Sequence, residues 1–88
     1  MSSGGTFCPA GQWTPIYQGP SFGFVYVTNV MTVPVRVNWR AYTASPFWYS
    51  DGSTDIDPGE QKTIGFGVPT PYVQFEVNPP FDSILWGH

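Results

Sequence analysis

The stretch Asp51-Gly-Ser-Thr-Asp55-Ile-Asp57-Pro-Gly-Glu60 concentrates four of the six acidic residues of an 88-residue chain. Calcium takes about six to eight oxygen ligands, and Asp51, Asp55, Asp57 and Glu60 could supply several, which would suit a calcium-dependent adhesion domain. The spacing lacks the glycine that an EF-hand loop needs at its sharp turn. A solvated hairpin loop, its Asp side chains bonded to their own backbone, accounts for the same residues without a metal. Glycoside hydrolysis would need two carboxylates flanking a cleft, whereas these are expected to share one loop. One cysteine and one histidine, Cys8 and His88, cannot build a zinc site. His88 is the last residue and is expected to fray, so no base is held for a Ser or Cys nucleophile. Cys8 has no Lys or Arg nearby in sequence to lower its pKa. The expectation is a non-enzymatic protein with no metal and no cofactor.

Two other clusters could bind rather than react. Trp39, Tyr42, Phe47, Trp48 and Tyr49 could offer flat rings to sugar pyranoses, with Asn38, Arg40 and Asp51 gripping hydroxyls. Trp48, Tyr49 and Asp51 would carry such a carbohydrate-binding or lectin site. Against it, Trp39 falls on the apolar parity of its strand and belongs in a core, and one of Trp48 and Tyr49 must also turn inward. Arg36 and Arg40 are two of only three basic residues and share one strand face. They could grip a carboxylate of a neighbouring subunit, or pair within the chain with Glu76.

The elements that position these residues are strands. Val33, Val35, Val37, Trp39 and Ala41 point one way and Pro34, Arg36, Asn38, Arg40 and Tyr42 the other, the period of two of a half-buried strand. Gln12–Gln18 reads as a first strand, with Pro15 marking an edge or a bulge, and Gly19-Pro20-Ser21 as a turn. Phe22–Val30 is apolar on both faces, and Asn29–Thr32 predicts a hairpin into the Val-rich strand. After a break at 43–46 comes a short aromatic segment, Phe47–Tyr49, then a polar loop from Ser50 to Glu60. That loop ends in Asp57-Pro-Gly-Glu60, suited to a type II turn. Gln61–Val68, Tyr72–Asn78 and Ser83–Trp86 complete six or seven strands. The pattern predicts a small antiparallel β-sandwich, Ig-like or jelly-roll-like, over residues 12–88, after a flexible lead-in over 1–11.

Composition limits the partners. Charged residues make up 10% of the chain and aromatics 18%, against about 25% charged in an average soluble domain. So little charge around so many rings implies that sister subunits or a partner cover part of the surface. Phe24, Tyr26, Phe47, Trp48 and Trp86, with Arg36 and Arg40, are the expected contact residues. A formal net charge of −3 leaves no basic footprint for nucleic acid. No apolar run is long enough to span a bilayer. The first residues lack the features of a cleaved secretory signal, so cytoplasmic retention is expected, or release by assembly into a particle followed by lysis.

The order of these segments resembles small β-sandwich accessory proteins of bacteriophage virions: decoration, spike-base or tail-associated subunits. It is carried by a Gly-rich start leading to Pro9-Ala-Gly-Gln-Trp-Thr14, an apolar strand (Phe24 to Asn29) and a Val-rich strand (Val33 to Trp39). A loop ending in Ile56-Asp-Pro-Gly-Glu60 and the segment Val73 to Pro79 complete it. The resemblance implies a virion-located structural subunit, trimeric or pentameric, that binds its own copies, other capsid or tail proteins, or a host-surface glycan.

Overall fold

The computed structural model of the protein describes residues 5–44, 47–67 and 69–88. Among them are eight strands and no helix: β1 (Thr6–Cys8), β2 (Thr14–Ser21), β3 (Phe24–Asn29), β4 (Val35–Ala44), β5 (Phe47–Ile56), β6 (Gln61–Gly65), β7 (Thr70–Asn78) and β8 (Ser83–Gly87). They form two antiparallel four-stranded sheets, ordered β1-β8-β3-β6 and β2-β7-β4-β5. Alternation explains the core between them. Val35, Val37, Trp39 and Ala41 of β4 and Val73, Phe75 and Val77 of β7 are buried against Val25 and Val27 of β3 and Leu85 of β8. Trp39 stacks on Phe75 with centroids 5.7 Å apart. Gly52, its cross-strand neighbour, leaves room for the indole, since a Cβ there would lie 2.9 Å from the ring.

The β4–β5 hairpin is the one connection that stays within a sheet; each of the other six crosses between sheets. This order is the eight-stranded jelly-roll form of the sandwich rather than the Ig-like one. The eighth strand is β1, which pairs with β8 through Thr6↔Leu85 and Phe7↔Ile84. The lead-in expected to be flexible therefore supplies an edge strand; residues 1–4 lie outside the described residues. Gly11 N also donates to Pro79 O at 2.9 Å, and Ala10 N to the Asp82 carboxylate at 2.9 Å.

Several local expectations change. β2 is an edge strand with register shifts at Pro15/Tyr17 and Gly19/Ser21, so Pro15 sits where expected. Gly19-Pro20-Ser21 is absorbed as an irregularity of the strand, and the turn follows it, where Ser21 Oγ accepts from the Gly23 and Phe24 amides. No hairpin forms at 29–32, because β3 and β4 belong to different sheets. Ser50–Ile56 is strand rather than loop, paired with β4 from Val35↔Ile56 to Ala41↔Ser50. Low strand propensity there is overridden by cross-strand partners, with Asp55 opposite Arg36 and Asp51 opposite Arg40. Only Asp57–Glu60 turns, with Glu60 N donating to Asp57 O at 2.9 Å and Gly59 at φ +74°. Ser45, Pro46 and Val68 lie outside the described residues.

The sheets are tied together at Asn29, which is completely buried. Its Nδ2 donates to Val33 O at 2.8 Å and to Ile56 O at 3.0 Å, and its Oδ1 accepts from Met31 N at 2.9 Å. Its backbone exchanges bonds with the Asp57–Glu60 turn. Asn29→Ala is expected to strand buried backbone groups and lower unfolding stability by roughly 2–4 kcal/mol. A urea midpoint within error of wild type would show that the residue is not the tie described.

Candidate functional site

The sheet β1-β8-β3-β6 turns an apolar face to solvent. Phe7, Ile84, Trp86 and Phe24 are 57%, 44%, 39% and 37% exposed, and all lie on the outward parity of their strands. Their rings continue into one another. Phe24 meets Tyr26 edge-on at 5.3 Å, Tyr26 meets His88 at 5.4 Å, and His88 stacks on Trp86 at 3.9 Å. His88 is not frayed: its backbone exchanges two 2.9 Å hydrogen bonds with Tyr26, which extends β8 by one residue. The only Lys, Arg, Asp or Glu in these four strands is Lys62. It pairs opposite Val27 on the edge strand β6 and reaches Glu60 at 3.4 Å. The rings and Ile84, with Thr28, Thr63 and Gln61 toward the β6 edge, make a face without an Asp, Glu, Lys or Arg side chain, and its apolar part is costly to leave in water.

The outward face of β2-β7-β4-β5 is the opposite in kind. Arg36, Asn38, Arg40 and Tyr42 of β4 face out beside Tyr49, Asp51, Ser53 and Asp55 of β5 and Gln74, Glu76 and Asn78 of β7. Glu76 lies at its centre and, although on the outward parity, is only 5% exposed, because its neighbours close over it. Arg40 donates from Nε at 2.6 Å and lies 2.6 Å away at Nη2, both on Oε1; Tyr42 OH (3.1 Å) and Gln74 Nε2 (2.5 Å) donate to Oε2. Burial pushes the Glu76 carboxyl up, but these hydrogen bonds and the Arg40 charge outweigh it and hold it below its ordinary value. The Arg40 guanidinium also lies 4.3 Å from the Trp13 ring centroid, so Trp13 is folded across the same face. Of the two partners open to Arg40 in sequence, the structure realises Glu76 within the chain. Arg36 pairs loosely with Asp55 at 3.8 Å, both well exposed, a contact worth little.

The structure divides the expected contact residues. Phe24, Tyr26 and Trp86 gather on the apolar face, while Arg36 and Arg40 stand on the far side of the sandwich. Trp48 is half-buried, set edge-on against Phe66 at 5.1 Å, and belongs with the core rather than with either face. The Phe47 side chain lies outside what the structure describes. Of the expected sugar set, Tyr49 and Asp51 do meet, Tyr49 OH donating to Asp51 Oδ2 at 3.1 Å, but Trp48 has the opposite parity and is not with them. Asp51 and Asp55 are spread along one strand face, about 13 Å apart at strand rise. Among the described residues no group of three Asp, Glu, His or Cys converges as a metal site, so the calcium reading has no oxygen cluster to rest on. Phe7, Ile84 and Trp13 are not among the contact residues expected from sequence, and His88 is expected there only as a frayed end. The apolar character of both parities in Ser83–Trp86 was the available signal for Ile84.

Cys8 is fully buried in β1, where burial pushes its thiol up to about 11 against a smaller opposing effect from the Leu85 backbone. Native protein at about pH 8 is therefore expected to resist a thiol-specific disulfide reagent until denaturant is added; stoichiometric labelling within seconds would contradict this. For Glu76 the folded carboxyl titrates below its ordinary value of 4.5. The network's stabilisation is thus present above that value and is lost as pH falls through the lower folded one. Glu76→Gln is expected to unfold more easily at neutral pH and to lose less stability than wild type between about pH 5 and pH 3. Glu60, also held low, by the Asp57 backbone first, titrates in both proteins. Parallel pH curves for the two proteins would place no depressed carboxyl at Glu76. No protein-family model matches this chain, and neither curated proteins nor solved structures yield a significant match to it.

Proposed function

We propose that the protein is a non-enzymatic structural subunit that assembles with copies of itself through the outward face of β1-β8-β3-β6. The observation that carries this reading is the ladder Phe24–Tyr26–His88–Trp86 with Ile84 and Phe7 beside it, on a sheet whose strands carry no Asp or Glu side chain. Permanent oligomers bury surfaces of this composition, which resemble a domain core cut in half. Covering the face with the same face of a second copy gives a two-fold dimer. A trimer or pentamer requires it to meet a different surface of the neighbour, repeated around a ring. In the two-fold arrangement the polar face of the other sheet remains outward.

The resemblance to small phage virion proteins gives this assembly its setting, as an accessory subunit on a capsid or tail. Jelly rolls recur in viral capsid domains and also in lectins, so the fold supports the setting by analogy alone. In light scattering or sedimentation the protein is expected at a fixed multiple of 9.8 kDa down to low micromolar concentration. Ile84→Lys and Trp86→Lys, which place a charge on the face, are expected to yield folded monomers with unchanged circular dichroism. A wild-type monomer at about 100 μM, where even a weak oligomer would associate, would overturn the proposal. So would a variant of unchanged mass.

A further inference from the structure

We infer that the outward face of β2-β7-β4-β5 is a binding groove for a neutral oligosaccharide, with Trp13 as its stacking ring and Asn38, Ser53 and Asp51 as its hydroxyl partners. Two depressions adjoin on this face. One, of about 340 Å³, lies among Trp13, Asn38, Asp51 and Ser53. The other, of about 310 Å³, lies among Asn38, Arg36, Asn78 and the prolines Pro79 and Pro80. Each reaches the lower end of the size range of small-molecule sites. They share Asn38, one lying on its β5 side and the other on its β7 side, so together they cross β4 on this face.

The lining suits that ligand class and argues against others. Pyranoses present C–H faces to a flat ring and hydroxyls to amides, carboxylates and other hydroxyls. Asn38 and Ser53 are cross-strand partners, both exposed, and offer an amide and a hydroxyl side by side. Asp51 beside them is already oriented by Tyr49 OH. Trp13 is 37% exposed and is held in place by Arg40, itself fixed by Glu76, so little freedom remains to be lost on binding. Charge selects further. Arg40 is engaged by Glu76, Arg36 lies only loosely, at 3.8 Å, from Asp55, and Asp51, opposite Arg40, is the one carboxylate among the lining residues. Asp51 repels an anionic chain at the Trp13 end of the face, and an apolar peptide would bury polar groups without partners. A third depression, of about 370 Å³ between Phe22 and the prolines Pro20, Pro69 and Pro71, offers few such polar partners.

The test is an array of neutral and acidic oligosaccharides probed with the intact protein, each hit then titrated by indole fluorescence. Binding is expected to neutral glycans and to persist in high salt. Trp13→Ala and Asn38→Ala are each expected to weaken it by about tenfold or more, equivalent to one lost ring or hydrogen-bond contact. Both positions lie outside the core, and Asn38→Ala carries the test alone if Trp13→Ala fails to fold. Ile84→Lys, on the opposite face, is expected to leave the affinity per subunit unchanged, which separates this site from self-association. No neutral glycan above background, binding only to acidic glycans that salt abolishes, or affinity within twofold of wild type in Asn38→Ala would each overturn the inference.

Discussion

Asn29 is the constraint on which the two-sheet arrangement depends. The chain leaves one sheet for the other immediately after it, at β3 to β4, and returns beside it, at β5 to β6. Both passages carry backbone groups that no ladder satisfies, and the Ile56 carbonyl bond among them is buried. A single amide side chain answers them, bonding to Val33 O, Ile56 O and Met31 N. An apolar residue of the same volume would fill the space and leave those groups unpaired, at a cost exceeding the net value of an ordinary hydrogen bond. Specific polar chemistry at one buried point thus fixes how two otherwise generic apolar layers meet.

With the layers joined, the two outer faces are free to differ, and they do. One carries rings in mutual contact and no Asp, Glu or Arg; the other carries matched charges around a buried carboxylate. Both are built on strands rather than on loops, so their side chains stand at spacings the ladders enforce. Glu76 shows how little freedom remains: four bonds from Arg40, Tyr42 and Gln74 converge on its two oxygens. The same network fixes Arg40, and through it Trp13. A core residue, Trp39, reaches the edge of that sheet only because Gly52 has no side chain.

Much of this was legible in residue order. Alternation from Val33 to Ala41 and from Tyr72 to Asn78 identified the two central strands of one sheet, and Asp57-Pro-Gly-Glu60 announced its turn. Sheet membership was not legible, because a short connection at 29–32 reads equally as a hairpin or as a crossing, and only the buried amide of Asn29 distinguishes them. The strand at Ser50–Ile56 was hidden by composition: Asp, Gly and Ser look like loop until Arg36 and Arg40 are set opposite them. Residue order offers Glu76 as a partner for the Arg pair but does not show that Arg40 and Tyr42 cover it. Trp13, placed early in the chain near Gly and Pro, gave no hint that it lies over β4.

The pairing of β1 with β8 joins residues near the two ends of the sequence, Thr6 with Leu85. Only the β4–β5 hairpin can close early; every other ladder waits for chain that is distant or not yet made. During synthesis the aromatic segments around Phe24 and Trp48 therefore emerge from the ribosome well before their covering partners. A topology with so few local ladders folds slowly for its length, and its apolar segments stay uncovered for that time.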